Sequence, residues 1–372
     1  MAVLYNSKLK KWLGGLPVAD IGELRKKIDD VDDNILELLN RRAELVKEVG
    51  RLKTQGKGDF YVPTREKEIY ERLMRNNKGH FPNESIRAIF REIISASLSL
   101  EHPLKIAFLG PQATYTHLAS LKQFGHSADL IPVKGIADVF EEVEKGKANY
   151  GVVPIENSTE GIVTHTLDMF VDSNLQIVAE VMLEISHFLL SKTGKMEDIK
   201  KVFSHPQPIA QCRNWLAKNL PNIPVMETAS TAVAAQMVAA DTESAAIASE
   251  FAASIYDLKV VKKRIEDNVN NFTRFLVIGK KSSEKSGSDK TSVMFAVKDE
   301  AGALYRMLEP FSKHNINLAK IESRPMKTRA WEYLFFLDME GHISEPHVKD
   351  AINELSKICL FVKVLGSYPR SK

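Results

Sequence analysis

The sequence has few cysteines, little net charge and no long apolar run. Its two cysteines among 372 residues, Cys212 and Cys359, offer neither a disulfide framework nor the spacing of a metal site. We expect both to be reduced, as in cytoplasmic proteins. A formal net charge of +3 is too small for a general nucleic-acid-binding protein. No stretch approaches the roughly 20 apolar residues that cross a membrane, and the N-terminus lacks the apolar segment of a signal peptide. Small anionic molecules are the partners expected for its local Arg and Lys clusters.

What is present supports several folded domains. Apolar residues make up 44% of the chain and charged residues 27%, which is enough for real cores and a hydrated surface. The length predicts two or three domains. Changes in composition predict the boundaries: an N-terminal arm (1–19), an all-helical domain (20–103), an α/β domain (104–281), a linker (282–290) and a final domain (291–372).

The segment 20–103 has apolar residues at helical spacing and almost no proline. From Asp20 to Lys53 these residues recur every three, four or seven positions, which predicts one stripe of a long helix. Pro63 and Pro82 precede two further predicted helices. The long helix would extend about 50 Å, and two shorter helices cannot cover its apolar stripe. We therefore expect it to pair with a second subunit.

Cations on the long predicted helix are spaced to bind a small anion. Arg42 and Lys53 lie on nearly the same helical line, about 16 Å apart along the axis, so that two long side chains could bracket a ligand. Arg25 lies roughly 25 Å from Arg42 and about 100° around the helix, so it could reach only the equivalent ligand of a partner chain. From spacing alone, the alternative that these cations are solvated helix surface stays open.

The stretch LRKKIDDVDDNILELLNRRAELVKEVGRLK, followed by PTREKEIYERL, resembles the all-helical class of chorismate mutase, an intertwined dimer. Chorismate rearranges without a nucleophile or proton transfer, so catalysis is positioning and charge stabilisation, and arginine matches its carboxylates in a bidentate way. The resemblance implies that Lys53 and Glu101 donate to the ether oxygen. Several family members have glutamine in place of Glu101. Because an ionised carboxylate cannot donate, Glu101 has to be protonated, and mutase activity should fall as pH rises. The implied substrate-binding residues are Arg42, Arg65, Glu66, Ser97 and, from the other subunit, Arg25.

From Leu104 the pattern changes to short apolar runs separated by helical stretches. The runs predict strands of an α/β domain with a mostly parallel sheet: KIAFLG, YGVVPI, LQIVAEVML, KVFSH, AAIAS and RFLVIG. Three strand-to-helix turns carry polar residues suited to binding an anion at a helix N-terminus: GPQATYTH, PIENSTEG and TASTAVAA. Helix capping explains each turn alone, but three of them in one domain favour a ligand cleft.

These turns, together with SHPQPIAQC and NNFTRF, resemble prephenate dehydratase. The resemblance implies two lobes, like those of a periplasmic binding protein, with the active site in the cleft. Ala113 stands where the family commonly has glycine. Prephenate loses carbon dioxide and its ring hydroxyl, which leaves only when a hydrogen-bond donor assists it. The resemblance assigns this acid role to Thr273, with Arg274 for a carboxylate and with Phe272 and Phe275 beside the ring; a threonine chosen only for its strand propensity is the alternative. The other implied substrate-binding residues are Thr114, Tyr115, Thr116, Glu156, Asn157, Ser158, Ser204, His205, Gln207, Ser230, Thr231 and Asn271.

The segment after the polar stretch SSEKSGSDK predicts the order βαββαβ, the ferredoxin-like pattern. It resembles the ACT regulatory domain, which in dehydratases of this type binds phenylalanine at a subunit interface. A dimerisation module without a ligand is the alternative. The implied phenylalanine-binding residues are Gly302, Ala303 and Leu304 at a strand-to-helix turn, and Glu322, Ser323, Arg324 and Pro325 after the second strand.

Together the resemblances predict a multidomain fold: an all-α mutase domain, a two-lobed α/β dehydratase domain and an α+β ACT domain. They imply a bifunctional chorismate mutase–prephenate dehydratase, inhibited by L-phenylalanine, cytoplasmic and at least dimeric. Neither the residues nor the chemistry implies a metal, an organic cofactor, a nucleic acid or a membrane. Two alternatives stay open. One is a non-catalytic amino-acid sensor, against which the complete NNFTRF stretch argues. The other is an enzyme acting on arogenate, which carries an amine in place of the keto group of prephenate.

Overall fold

A computed structural model describes residues 20–56, 61–298, 300–325 and 333–371. The chain divides into two compact units, with the boundary after Gly58. The described part of the first unit is helix α1, Ile21–Gly56, as the apolar spacing predicts. Asp20 accepts the N–H of Gly22 at 3.2 Å and caps the helix. The predicted N-terminal arm lies outside the described residues.

Helix α1 exposes its apolar stripe. Eight large apolar side chains, spaced at three, four or seven positions, are each between 46% and 68% exposed in the single chain. A stripe of this length is typical of a helix that pairs with another helix. These side chains are Leu24, Ile28, Val31, Ile35, Leu38, Leu45, Val49 and Leu52.

The second unit begins with two helices, α2 (Pro63–Asn76) and α3 (Asn83–Glu101). Proline at the first position of α2 fits there, because that N–H has no partner within a helix. Thr64 donates to the carbonyl of Glu284 at 2.8 Å, and Lys67 donates to Ser286 at 3.1 Å. These bonds join α2 to the segment that precedes the last domain. Both helices confirm the sequence-based prediction.

The first lobe of the α/β domain is built on a sheet with strand order β2-β1-β3-β11-β5, and β4 pairs with β3. The buried side chains of its strands and helices form two apolar clusters, one on each face of the sheet. The strands are β1 (Lys105–Leu109), β2 (Asp129–Val133), β3 (Tyr150–Asn157), β4 (Gly161–Ile162), β5 (Gln176–Glu184) and β11 (Phe272–Gly279). The helices are α4 (Tyr115–Phe124), α5 (Ile136–Glu144) and α6 (Thr164–Asp172).

The second lobe has its own sheet, with strand order β10-β6-β9-β7-β8. The chain passes into this lobe after β5 and returns to the first lobe at β11. These two crossings connect the lobes, and a cleft lies between the lobes. The strands are β6 (Phe188–Ser191), β7 (Lys201–Ser204), β8 (Val225–Glu227), β9 (Ser244–Ala248) and β10 (Lys259–Lys262). The helices are α7 (Pro206–Gln211), α8 (Arg213–Asn219), α9 (Thr231–Val238) and α10 (Glu250–Ile255).

The expectation of a mostly parallel sheet is wrong. Strand β1 runs parallel to β2 and β3, but β11 runs antiparallel to both of its neighbours, β3 and β5. In the second lobe β6 is likewise antiparallel to β9 and β10. The cause is the crossing between lobes: a strand that returns from the far lobe enters its sheet in the opposite direction to the local β-α-β strands.

The last domain has the predicted βαββαβ order and a fully antiparallel sheet, β13-β14-β12-β15. One face of this sheet packs on helices α11 and α12 and forms an apolar core with them. The elements are β12 (Asp289–Val297), α11 (Ala303–Lys313), β13 (Leu318–Pro325), β14 (Tyr333–Glu340), α12 (Pro346–Ser356) and β15 (Phe361–Pro369).

The other face of the same sheet packs on the first lobe. Met294, Phe336 and Tyr368 of the last domain belong to one buried apolar cluster with Phe170 and Ile177 of the lobe. The two domains therefore share a core. At Gly366 the backbones come so close that a Cβ atom would lie 2.2 Å from the carbonyl oxygen of Ile177, so only glycine fits there.

The predicted linker, 282–290, is ordered by its own hydrogen bonds. Ser283 is buried and donates to the carbonyl of Val178 at 2.6 Å, while Asp289 accepts the N–H of Ser286. Asp289 and Lys290 are already part of β12. The polar composition of the stretch therefore reflects paired polar groups at a domain junction. Among the described residues, no helix is both long and apolar enough to span a membrane.

Candidate active sites

The residues implied for the mutase are divided between the two units. Arg25, Arg42 and Lys53 lie on the single unbroken helix α1 of the first unit. This continuity keeps the axial spacing expected from the sequence, about 16 Å between Arg42 and Lys53. Arg25 is exposed, and Arg42 and Lys53 are half-buried. Their roles toward a substrate stay predictions.

The remaining mutase residues lie on α2 and α3. Arg65 is exposed and pairs with Glu68 at 2.9 Å, a surface ion pair of small energetic value. Ser97 is buried and donates to the carbonyl of Ile93 at 2.6 Å. Glu101 is half-buried at the C-terminal end of α3. Burial raises the pKa of Glu66 to about 8, although a hydrogen bond with Tyr70 works in the opposite direction.

A cavity of about 440 Å³ in the second unit is lined by Glu66 but by none of the other three mutase residues of α2 and α3. Arg87, Arg91 and Lys122 also line it. Burial lowers the pKa of Lys122, and the two arginines add to this effect because like charges repel. The predicted mutase residues are therefore not gathered in this cavity.

The dehydratase residues gather in a second cavity, of about 370 Å³, between the two lobes. Three helices begin at its wall, and each has a side-chain cap at that end. Thr114 accepts the N–H of His117, His205 accepts that of Gln207, and Ser230 accepts that of Val233. Helix N-termini carry partial positive charge, so their convergence favours an anionic ligand. Eleven implied residues line this cleft: Thr114, Tyr115, Thr116, Asn157, His205, Gln207, Ser230, Thr231, Asn271, Thr273 and Phe275.

Thr273 has a defined hydrogen-bond partner at the wall of the cleft. The side-chain amide nitrogen of Asn157 lies 2.8 Å from Thr273 Oγ1. The amide orientation is fixed, because Asn157 Oδ1 accepts the N–H groups of Thr159 and Glu160 at 3.0 and 3.1 Å. An amide nitrogen only donates, so Thr273 Oγ1 is the acceptor in this bond. The hydroxyl hydrogen of Thr273 is thereby left for a group in the cleft.

The hydrogen bonds continue from Asn157 along the cleft wall. Asn157 also donates to Asn271 at 2.8 Å, and Asn271 donates to Gln211 Oε1 at 3.1 Å. The same oxygen lies 2.7 Å from His187 Nε2, which therefore carries the proton. Burial lowers the pKa of His187, so the ring is neutral at physiological pH. Its other nitrogen lies 3.3 Å from the hydroxyl of Tyr115.

Two implied residues of the NNFTRF stretch, Phe272 and Arg274, do not line the cleft. Successive side chains of a strand point to opposite faces, so Thr273 and Phe275 face the cleft whereas Phe272 and Arg274 face away. Arg274 is buried against Glu180 and the last domain. The structure thus places Arg274 and Phe272 away from the cleft, and their contacts with a substrate carboxylate and the ring stay predictions.

Three further implied residues also lie outside the cleft lining. Glu156 faces away on β3, where it pairs with Lys320 at 2.6 Å. Ser158 accepts the N–H of Phe272 at 2.9 Å, and Ser204 donates to the carbonyl of Ile247 at 2.7 Å. Both serine hydroxyls thus form hydrogen bonds with the backbone of segments that are distant in sequence.

Ala113 has a backbone conformation that glycine adopts more easily. Its φ is 67°, in the left-handed region, which costs a residue with a Cβ about 1–2 kcal/mol. Its N–H donates to His117 Nδ1 at 3.0 Å, and the side chain is buried. The departure from glycine noted in the sequence therefore falls on a position where glycine has a physical advantage.

Sequence reasoning missed three polar residues of the cleft: Lys134, His187 and Gln211. Lys134 directly follows β2, and the carboxyl ends of parallel strands meet at one edge of the sheet. The position of Lys134 after this strand could therefore have indicated a place in the cleft. Gln211 stands within the SHPQPIAQC signature. His187 follows the first crossing between lobes, and no spacing in the sequence indicates it.

The residues implied for phenylalanine binding fall on two elements of the last domain. Gly302 has φ 79° and is the N-cap of α11, which begins at Ala303, and Leu304 is exposed. Along β13 the side chains alternate. Glu322 and Arg324 are half-buried, and Ser323 and Pro325 are exposed. Arg324 pairs with Asp168 at 2.5 Å and donates to the carbonyl of Thr164, both in the first lobe.

Comparison with known proteins agrees with this architecture. Three family models match the chain in order: chorismate mutase type II over residues 24–102, prephenate dehydratase over 106–283 and the ACT domain over 291–357. The crystal structure of prephenate dehydratase from Arthrobacter aurescens in complex with L-phenylalanine superposes with a TM-score of 0.67 at 36% identity, covering 72% of this chain and 90% of that one.

Two curated relatives match almost end to end. Bifunctional chorismate mutase/prephenate dehydratase from Aquifex aeolicus is 51% identical over 95% of this chain and 98% of its own length. The protein of the same description from Pseudomonas aeruginosa is 44% identical over 94% and 97%. The chain belongs to the family of bifunctional chorismate mutase/prephenate dehydratases, and it catalyses both reactions.

Proposed function

We propose that prephenate is dehydrated in the cleft between the lobes, with Thr273 as donor to the departing ring hydroxyl. The observation that carries this proposal is the bond from Asn157 to Thr273 Oγ1, which leaves the threonine hydrogen available to a group in the cleft. As the carboxylate leaves as carbon dioxide, its electrons enter the ring and the C–O bond breaks. The oxygen gains negative charge, and a fixed donor stabilises it more in the transition state than in the substrate.

The charge of the cleft suits a dianion with a keto side chain. Among the described lining residues, Lys134 is the only Lys or Arg, and there is no Asp or Glu. With three helix N-termini and Lys134, the cleft carries positive charge, which suits the two carboxylates of prephenate. We assign Lys134 the carboxylate-binding role that the resemblance implied for Arg274. A cleft without a carboxylate offers no partner to the ammonium group of arogenate, so it favours prephenate.

For the mutase, we propose a homodimer that pairs through α1. The exposed apolar stripe of this helix supports a second copy of the chain as its cover. In this proposal Arg42, Lys53 and Glu101 act on chorismate with Arg65, Glu66 and Ser97, and Arg25 serves the site of the partner chain. Arginines on one unbroken helix hold carboxylates at fixed spacing, which is the positioning that the rearrangement needs.

We further propose that L-phenylalanine is the effector of the last domain and inhibits dehydration. The Arthrobacter aurescens structure in complex with L-phenylalanine supports the ligand. The shared core between this domain and the first lobe supports an effect on the cleft. The cytoplasm is the proposed location, since both cysteines are free thiols.

The test compares Thr273→Val with Thr273→Ser. Valine keeps the shape and removes the donor, so kcat for prephenate should fall by about 10²- to 10³-fold, as when one preorganised donor is lost. Serine keeps the donor and should stay within about tenfold of the parent. Chorismate mutase activity of both variants reports folding and should be unchanged. Normal prephenate turnover by Thr273→Val would remove the acid assignment.

A further inference from the structure

Strands β3 and β11 carry two cross-strand pairs side by side. Asn157 lies opposite Thr273, and Glu156 lies opposite Arg274. Because successive side chains alternate, the first pair faces the cleft and the second faces the other side of the sheet. Thr273 and Asn157 line the cleft, whereas Arg274 lines a small cavity behind it, together with residues of the ACT domain.

The ACT sheet presents a matching pair to this face. Lys320 on β13 lies opposite Asp338 on β14. Lys320 Nζ is 2.6 Å from a carboxylate oxygen of Glu156, and Arg274 Nη1 is 2.5 Å from one of Asp338. Each cross-strand pair contains one cation and one anion. Where the two sheets face each other, Lys320 contacts Glu156 and Asp338 contacts Arg274. We call these four side chains the charge clasp.

Arg274 has little freedom within the charge clasp. Its Nε donates to Glu180 at 2.8 Å, and its Nη2 donates to the hydroxyl of Tyr368 at 2.8 Å. Glu180 is held in turn by Lys290, and Asp338 by Ser292. The planar guanidinium group is therefore fixed in three directions, by groups from both domains.

We propose that Arg274 and Glu156 are positioning residues of the dehydratase, held by Asp338 and Lys320 of the ACT domain. The charge clasp fixes the register and relative position of β3 and β11 at the point where Thr273 lies opposite Asn157. It thereby sets the 2.8 Å bond that orients the threonine hydroxyl. This inference rests on the proposed role of Thr273 as donor. None of the four side chains lines the cleft, so they act through the cross-strand pair in front of them.

Lys320 also connects the charge clasp to the implied effector stretch. It lies on β13, two residues before Glu322, and both side chains line the cavity behind the catalytic strands. A change in β13 on effector binding would thus reach Glu156 through one ion pair. In this proposal the charge clasp connects the implied effector stretch of the ACT domain to the strands of the dehydratase site.

The test uses two variants on the ACT side, Asp338→Asn and Lys320→Met. Each should lower kcat for prephenate by about tenfold while KM changes by less than about twofold, because the substrate is not contacted. Chorismate mutase activity should be unchanged. Lys313→Met, which removes an exposed ACT ion pair with Glu354, is the matched control and should keep the parental kcat. Exchanging the charges in Glu156→Lys with Lys320→Glu should recover most of the turnover that either single change removes.

A double-mutant cycle separates positioning from a merely structural role. If Asp338 acts through Thr273, adding Asp338→Asn to Thr273→Val should change the residual turnover by less than about twofold. Equal losses from Asp338→Asn in both backgrounds would overturn the inference. So would parental kcat in Asp338→Asn and Lys320→Met while Thr273→Val is inactive, and in that case the donor role of Thr273 still stands. Normal turnover by Thr273→Val would instead remove the proposed function itself.

Discussion

Asn157 decides which way the Thr273 hydroxyl points. Its Oδ1 accepts two backbone N–H groups, which leaves Nδ2 to donate to Thr273. In Asn157→Asp both oxygens are acceptors, so the threonine hydrogen turns toward the carboxylate and away from the cleft. We expect kcat for prephenate to fall by about 100-fold or more. Steady-state turnover at saturating prephenate measures it.

Asn157→Ala is the matched comparison. Alanine removes the orienting bond but does not capture the threonine hydrogen, so its kcat should lie above that of Asn157→Asp. The order of the two variants is the informative result. An aspartate variant as active as the alanine variant would show that the orientation of the hydroxyl does not limit the reaction.

Glu66 gives a prediction about pH and stability. Burial raises its pKa in the folded protein to about 8, from an ordinary value of 4.5. Between these two pH values the folded state holds a proton that the unfolded state has released, so the free energy of unfolding falls as pH rises through this window. Glu66→Gln removes this loss. The apparent melting temperature of the variant should match the parent near pH 5 and exceed it increasingly toward pH 8.

Thermal unfolding of both proteins across this range is the measurement. The charge-neutral replacement keeps the size of the side chain, so packing differences should shift all points equally. A difference in melting temperature that is constant with pH would mean that the protonation of Glu66 is not linked to folding.

Site residues were predicted best from the sequence where they belong to a family signature. They were predicted least well where their position depends on the three-dimensional fold. Thr273, Asn157 and Asn271 lie together in the cleft because their signatures meet on adjacent strands. Alternation along a strand already places Thr273 and Phe275 on one face and Arg274 on the other, but only the folded sheet shows which of these faces borders the cleft. His187 lies next to Gln211 through packing between distant segments, which no local spacing encodes.

At the scale of elements, α1 is the clearest case of a segment whose pattern needs a partner. Ile28 and Ile35 lie one heptad apart on its exposed stripe and are 58% and 50% exposed. In a two-fold dimer Ile28→Lys introduces a charge twice into the apolar paired surface. We expect the dissociation constant of the dimer to rise by more than about 100-fold. Sedimentation equilibrium measures this change.

Mutase activity should fall together with dimer content, because the proposed site takes Arg25 from the partner chain. Asp33→Asn adds the same unit of charge on the opposite face of α1 and is the matched control, which should stay dimeric and active. A monomeric Ile28→Lys protein with full mutase turnover would contradict the shared site.

Helices were easier to predict than strand directions, for a physical reason. The bounds of α1, α2 and α3 follow from apolar periodicity, capping and proline positions within each segment. The direction of β11 depends on the path of the chain through the second lobe before it returns to the first. Its sequence RFLVIG is apolar on both faces, as in a buried parallel strand, although both of its neighbours are antiparallel to it.

At the scale of the whole molecule, the ACT domain and the first lobe behave as one packed body. They share an apolar cluster, the charge clasp and the close approach at Gly366. Lys363 adds three hydrogen bonds, at 2.7 to 3.1 Å, to the last carbonyls of α6 and the residue that follows it. A regulatory domain fixed in this way changes the lobe when it changes its own shape, since packed interfaces have few intermediate states.

This arrangement predicts which reaction phenylalanine stops first. Behind the catalytic strands lie a shared core and buried ion pairs, whereas α2 is joined to the segment before the ACT domain by hydrogen bonds of Thr64 and Lys67. Given chorismate alone, the enzyme should release phenylpyruvate; with phenylalanine added, prephenate should accumulate while chorismate is still consumed. Chromatography of the three compounds over time measures this.

Thr273→Val supplies the reference trace for that experiment. Without phenylalanine it should already accumulate prephenate, at the parental rate of chorismate consumption, because its defect lies after the rearrangement. Parental enzyme with phenylalanine should approach the same trace if the effector acts through the strands that carry Thr273. Chorismate that persists with no prephenate would place the inhibition at the mutase helices instead, and the hydrogen bonds of α2 to the segment before the ACT domain would then be the coupling that matters.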